Sequence, residues 1–417
     1  MEYGLIGEKL GHSFSKEIHN CLGNYLYELK EIAPENLKDF ICSKNFKAIN
    51  VTIPYKEAVI EFLDEISFSA REIGAVNTIV NKNGKLYGFN TDFLGLKELI
   101  LNEGIELKNK KVLILGSGGT SKTANAVAMS LGAKEIYRVS RKSGENLITY
   151  EDVYLYHTDA DIIINTTPCG MYPNIGETAI DITKFSNLSG VVDVVYNPIN
   201  SALVADAKDR GIKAVGGLLM LVAQAFFASE LFFGTKFDKR KMAEIFSDIL
   251  RKKENIVLIG MPSSGKTTIG KALSKEIGKD FIDTDEEIIK KEGISISEIF
   301  KISGEEKFRE IESEVIKMIS SNQGFVIATG GGAILNPRNT QLLKENGKMI
   351  FLDKKLEDLI TTADRPLSSN LEDLKKRYDE RYDIYVSSAD YIINCTNDVN
   401  ENVENIKEVI FGENFSD

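Results

Sequence analysis

The stretch Gly260-Met-Pro-Ser-Ser-Gly-Lys-Thr-Thr268 limits what this chain can fold into more than any other, because it restricts both a backbone path and a ligand. It fits G-x-x-x-x-G-K-[ST]. The apolar run Ile256 to Ile259 predicts a buried strand before it, and Ile269, Leu273 and Ile277, four apart, predict an amphipathic helix from Thr267 onward. A glycine-bounded loop between such elements turns backbone N–H groups and a helix N-terminus toward phosphate oxygens. Ser263, Ser264, Gly265, Lys266, Thr267 and Thr268 are therefore expected to hold a nucleotide's phosphates, with Lys266 as a point charge and Thr267 on Mg2+. A loop of this kind follows the first strand of its own domain. Everything before about residue 254 is expected to be a separate unit.

The length of 417 residues suits two or three domains. A net charge of -11 argues against nucleic acid or an anionic membrane as partner and leaves small-molecule substrates open. Cys21, Cys42, Cys169 and Cys395 form no C-x-x-C pair, so free thiols in a reducing compartment are expected rather than zinc or disulfides. No apolar run approaches the roughly 20 residues of a membrane span, and the chain starts directly as a strand at Tyr3, so a cytoplasmic location is expected. His12 and His19 have no third ligand at a spacing that suits a metal.

Ahead of the phosphate loop, Gly7 to Asn20 is a loop running into a helix, with Ser13 and Ser15 at its entry as candidate N-caps or ligands for a hydroxylated molecule. Lys47 to Ile53 predicts a strand whose end carries Thr52, Pro54 and Lys56. Gly74-Ala-Val-Asn-Thr78 and Gly88-Phe-Asn-Thr-Asp92 follow, the latter after a predicted hairpin at Asn83-Gly84. Lys111 to Leu115, Gly116-Ser-Gly-Gly-Thr120, a helix to Leu131 and the strand Glu135 to Val139 make a unit that places a pyrophosphate on a helix N-terminus. That second strand ends in Ser140-Arg-Lys142 with no acid to accept from a ribose 2'-hydroxyl, which favours the 2'-phosphate of NADP. Ile162 to Asn165 and Val191 to Val195 are further strands, Gly216 to Gln224 opens an apolar helix, and residues 238–254 have helical spacing.

Together these stretches resemble the shikimate dehydrogenase family over residues 1 to about 235. The resemblance implies that Ser13, Ser15, Thr52, Asn77, Asp92 and Gln224 hold a substrate's carboxylate and hydroxyls, with Tyr196 near it. Lys56 and Asp92 would be the catalytic pair. Gly116, Ser117, Gly118, Gly119, Thr120, Ser140, Arg141 and Lys142 would bind NADP, and the main chain at Val194 and Gly217 would lie near its nicotinamide.

Past the phosphate loop, Phe281-Ile-Asp-Thr-Asp285 is expected to be a strand end with two carboxylates on one face. A helix carrying Gly304 to Glu310, the strand Phe325 to Ala328, Gly330-Gly-Gly332, and strands at Lys348 to Leu352 and Tyr391 to Ile393 complete a five-stranded parallel sheet. This part resembles shikimate kinase from Ile256 to the end. The resemblance implies that Asp285, Arg309, Gly331 and Arg381 bind shikimate, that Asp283 and Thr267 hold Mg2+, and that Arg365, on a lid, binds ATP and acts in catalysis with Lys266. The segment Leu356 to Asp364 lacks a further arginine that the family places ahead of Arg365 to reach the adenine.

The expected fold is thus α/β throughout. A substrate-binding domain (1–103, completed by 217–237) and a Rossmann NADP domain (104–216) lead by a helical connector (238–254) to a P-loop kinase domain (255–417). The expected function is reduction of 3-dehydroshikimate and then phosphorylation of shikimate. The alternative is a quinate/shikimate dehydrogenase fused to a nucleotide-binding regulatory module; Lys266, Asp285, Arg309, Arg365 and Arg381 speak against a module without turnover.

Overall fold

The computed structural model describes residues 1–10, 14–359 and 371–412, which divide into two compact units, Met1–Leu250 and Arg251–Asp417. Ser13 and Arg365 lie outside the described residues.

The first unit opens with β1 (Tyr3–Gly7), α1 (Ser15–Leu22), β2 (Tyr27–Glu31), α2 (Leu37–Ser43), β3 (Ala48–Val51), β4 (Glu65–Ile66), α3 (Phe68–Ile73), β5 (Thr78–Lys82), β6 (Lys85–Phe89) and α4 (Thr91–Asn102). Its strands form a mixed sheet ordered β2-β1-β3-β5-β6-β4. β5 and β6 are the expected hairpin, joined through Asn83 and Gly84, both at positive φ.

A second sheet takes β7 (Lys111–Leu115), β8 (Glu135–Ser140), β9 (Leu147–Thr149), β10 (Ile162–Asn165), β11 (Gly190–Asp193) and β12 (Lys213–Val215), with α5 (Gly119–Ser130), α6 (Tyr150–Tyr156) and α7 (Ala202–Asp209) between strands. The order β12-β11-β10-β7-β8-β9 is wholly parallel and reverses direction at β7 and β10. Such a reversal opens a crevice at the carboxyl ends of the strands. Apolar runs suit the strands because both faces are covered: Val112 and Ile114 pack with α4 and α5, Leu113 and Leu115 with α6 and α7.

α8 (Leu218–Phe233) then returns to the first sheet, setting Ala228 and Phe232 against Leu5, Tyr27 and Val80, and Leu219 and Met220 against Leu96 and Ile100 of α4. α9 (Lys239–Lys253) is not a bare spacer. Met242, Ile245 and Ile249 are buried among Ile18 and Leu22 of α1 and Val222 and Phe226 of α8.

The second unit contains β13 (Asn255–Ile259), α10 (Lys266–Ile277), β14 (Asp280–Asp283), α11 (Thr284–Glu292), α12 (Ile296–Ser320), β15 (Phe325–Ala328), α13 (Pro337–Asn346), β16 (Gly347–Asp353), α14 (Leu371–Ser388), β17 (Tyr391–Asn394) and α15 (Val399–Phe411). Its five strands are parallel in the order β14-β15-β13-β16-β17. Alternate residues feed two cores: Val257, Ile259 and Phe351 on one face, Ile256, Leu258 and Leu352 on the other. Helices therefore lie on both faces, as expected. Among the described residues no helix is long and apolar enough to cross a membrane.

Two local expectations need correction. Asp283 ends β14, but Asp285 lies in the first turn of α11, so the two carboxylates do not share a strand face. Asp283 accepts from the Asp285 and Glu286 N–H groups, and capping a helix outweighs prolonging the strand. The helix through Gly304 is two helices merged across a break, where Gly304 sits at φ 78° and ψ 176°.

Candidate active sites

In the first unit, the ends of β1 and β3, the start of α4 and one side of α8 enclose a cavity of about 440 Å3. Ser15, Thr52, Lys56, Asn77, Asp92, Thr120, Val194, Tyr196, Gly217 and Gln224 all line it, so the sequence-predicted residues on both sides of the crevice meet in one space. Lys56 Nζ donates to Asp92 Oδ2 at 2.6 Å, both side chains being partly shielded from solvent. Asp92 owes its place to the Asn90 cap of α4, whose side chain accepts from Phe93 N–H at 3.1 Å and donates to the Ala75 carbonyl at 3.0 Å. An ammonium held by a carboxylate can give a proton to a developing alkoxide or stabilise its charge.

The surrounding amides are partly committed. Asn77 Oδ1 accepts from Thr91 N–H at 2.7 Å and Thr78 Oγ1 at 3.0 Å, which leaves its NH2 as the group it can offer a ligand. Gln224 Nε2 donates to the Leu221 carbonyl at 3.0 Å, which leaves its oxygen and its second N–H to offer a ligand. Ser15 does not cap α1; the N-cap is Phe14, without a side-chain cap bond. Lys9 and Met220 also line the cavity and escaped the sequence reading, since a lone lysine in a loop and a methionine in an apolar helix carry no pattern.

On the cofactor side, β7 runs through Gly116 and Ser117 to α5, whose N-cap is Gly118. Around Gly118 and Gly119 a Cβ would meet nothing within 4 Å, so a ligand's phosphates have room against the main chain. The Val194 carbonyl approaches Gly217 so closely that no side chain would fit there. At the end of β8, Arg141 and Lys142 are exposed, with no carboxylate paired to either among the described residues.

The second unit has a smaller cavity, about 260 Å3, at the loop after β13. Ser263, Gly265, Lys266, Thr267, Thr268, Asp283, Asp285 and Gly331 line it, together with Thr329. Lys266 Nζ folds over the loop and donates to the Gly260 carbonyl at 2.9 Å and the Met261 carbonyl at 2.8 Å. Thr267 Oγ1 donates to Asp283 Oδ2 at 2.7 Å. The Thr267 hydroxyl and the Asp283 carboxylate are oxygen donors that suit Mg2+, which keeps several waters and takes phosphate oxygens.

Arg309 and Arg381 do not line this cavity but touch its glycine wall. The Arg309 guanidinium lies against Gly332, and Arg381 Nη1 donates to the Gly331 carbonyl at 3.0 Å. Arg309 is held by Glu312 at 2.8 Å and Glu305 at 3.1 Å, and Tyr385 OH donates to the same Gly331 carbonyl at 2.5 Å. Burial pushes the Glu312 carboxyl up, while Arg309 acts in the opposite sense. Glu312 and Tyr385 were missed; their signal is the spacing of three from Arg309 and four from Arg381, which puts each on its arginine's helix face.

Comparison with known proteins finds two matching families. The shikimate dehydrogenase substrate binding domain matches residues 5–79, and shikimate kinase matches residues 262–411. The shikimate dehydrogenase (NADP(+)) of Clostridium beijerinckii is 39% identical over 262 residues, covering 59% of this chain and 96% of that protein. That of Halothermothrix orenii is 42% identical over 262 residues, covering 56% and 91%. Among solved structures, a chorismate mutase/shikimate 5-dehydrogenase fusion from Clostridium acetobutylicum gives a TM-score of 0.56 at 38% identity, covering 59% of this chain and 96% of that one. The Thermus thermophilus shikimate 5-dehydrogenase, solved with NADP(H) and shikimate, gives 0.54 at 28% identity, covering 60% and 99%.

Proposed function

We propose two reactions for this chain, which belongs to the shikimate dehydrogenase family over its first unit and continues as a shikimate kinase domain: NADPH-dependent reduction of 3-dehydroshikimate, and ATP-dependent phosphorylation of the resulting shikimate at its 3-hydroxyl. The observation that carries the first is the Lys56–Asp92 pair facing Val194 and Gly217 across one cavity. NADPH supplies a hydride to the substrate carbonyl. Lys56 gives a proton to the oxygen as charge builds there, and Asp92 holds the ammonium in place. The Asn77 NH2 and the Gln224 amide, with Ser15, Thr52 and Tyr196, orient the ring.

In the second unit, Lys266, now on its loop carbonyls, would meet the transferring phosphate, and Thr267 with Asp283 would hold Mg2+, which would neutralise charge on the phosphates. Arg309 and Arg381 grip the shikimate carboxylate, which a pair of planar forks does well, while Asp285 receives a ring hydroxyl. Arg365 is assigned to the transferring phosphoryl group by resemblance alone.

Assaying the purified chain for both reactions tests the reading. Lys56→Ala is expected to cut the reduction by roughly 100-fold or more and spare the kinase, and Lys266→Ala to do the reverse. Loss of both activities from either change in folded protein refutes two independent sites.

A further inference from the structure

The end of β11 buries a carboxylate that these steps do not use. Asp193 is fully shielded from solvent, and both its oxygens are engaged. Oδ1 accepts from Asn165 Nδ2 at 2.9 Å and from Val195 N–H at 3.0 Å, and Oδ2 accepts from Ser201 Oγ at 2.6 Å. The donors come from three places: the end of β10, the turn after β11 and the N-cap of α7. Between them runs Val194. Its N–H donates to the Asn165 carbonyl at 3.0 Å, the Val195 carbonyl accepts from Gly217 N–H at 2.8 Å, and its own carbonyl presses on Gly217.

A buried carboxylate is a costly tie. Burial pushes Asp193 up to about 6, against the pull of its three hydrogen bonds. What it provides is one fixed oxygen that draws two donors from different segments to a single point, beside main chain that lines the cavity, while Asp193 itself does not line it.

We propose that Asp193 is a positioning residue for hydride transfer: it ties β10, β11 and α7 so that Val194 and Gly217 hold the nicotinamide against the carbonyl served by Lys56. This rests on the reading of the first unit as an NADPH-dependent dehydrogenase. The 2'-phosphate is assigned to Arg141, past β8, which stands two strands from β10, and the pyrophosphate to the start of α5 at Gly118 and Gly119, neither of which takes part in the hydrogen bonds of this tie. Its loss therefore falls on the chemical step rather than on binding.

The test compares the full chain with Asp193→Ala and Asp193→Asn in 3-dehydroshikimate reduction, using NADPH and NADPH deuterated at the transferred position. Bound NADPH per chain counts folded sites. Asp193→Ala is expected to lower kcat roughly 30- to 100-fold, with NADPH affinity within about threefold of wild type and a larger deuterium isotope effect. Asp193→Asn keeps an oxygen for Asn165 and Val195 and is expected to return kcat to within about fivefold of wild type. If the alanine variant does not fold, Ser201→Ala removes a single donor and is expected to show the same isotope effect with a smaller loss. Unchanged kcat and isotope effect overturn the proposal, as does a loss that only follows the number of folded sites. A wild-type chain unable to reduce 3-dehydroshikimate with NADPH overturns the dehydrogenase reading itself, and the proposal with it.

Discussion

Arg141 stands exposed just past β8, and Ser140 ends that strand where an NAD-binding unit would carry an acid. A hydrogen bond to a charged phosphate is worth about 1.5–3 kcal/mol, so Arg141→Ala is expected to weaken NADPH by about 10- to 150-fold and leave NADH nearly unchanged. Steady-state kinetics with both cofactors reads this, and equal losses would remove Arg141 as the phosphate ligand. Two buried groups set an acid response of opposite sign. Burial lowers His19 to about 3, so the stability it contributes above the unfolded value of 6.5 is lost as pH falls. Asp193, raised to about 6 from 3.8, does the opposite, contributing stability that is present at low pH and lost as pH rises through 6. Between pH 7 and 5 the first term falls by about 2 kcal/mol and the second regains about 1 kcal/mol. Asp193→Asn is thus expected to deepen the fall in amide protection of α1 and β11 over this range severalfold, read by hydrogen exchange of the full chain; an unchanged pH dependence would exclude the raised carboxyl. At this scale the sequence was legible where a residue sits in a loop with its own pattern, as Lys266 and Thr267 do. Asp193 lay in plain view but unreadable, because its donors come from positions 165, 195 and 201 and only the fold joins them.

Elements were most legible where burial on both faces left an unbroken apolar run: β10 and β15 span the expected residues, because strands between two helical layers carry no polar position to blur their ends. The break in α12 was not legible, since the helical period continues on either side of Gly304 while the backbone does not. The conformation at Gly304 is open to glycine alone, although a Cβ there would meet nothing within 4 Å. Gly304→Ala therefore strains the backbone by about 1–3 kcal/mol or straightens the break, and either result shifts Arg309, five residues on, from its seat against Gly332. The expected outcome is a rise of roughly tenfold in KM for shikimate with KM for ATP within about threefold. An unchanged shikimate KM would mean that the break does not place Arg309.

At the scale of the whole molecule, α9 decides where the chain can be cut. Met242, Ile245 and Ile249 each bury a side chain worth about 1.5–3 kcal/mol, a sum of roughly 4.5–9 kcal/mol beside a typical domain stability of about 5–15 kcal/mol. A fragment of residues 1–253 is expected to keep the reductase activity and one of 1–237 to lose it, with activity and thermal unfolding of the two fragments as the check. Equal activity would make α9 dispensable. The return of α8 to the first sheet also has a consequence during synthesis. Strands β1 to β6 and α4 leave the ribosome roughly 130 residues ahead of the helix that covers them, about 7–25 s at about 5–20 residues per second. Through that interval Leu5, Tyr27, Val80, Leu96 and Ile100 have no α8 to lie against, so chaperones that bind apolar segments meet the nascent chain there, before Asn255 and the second unit have been made.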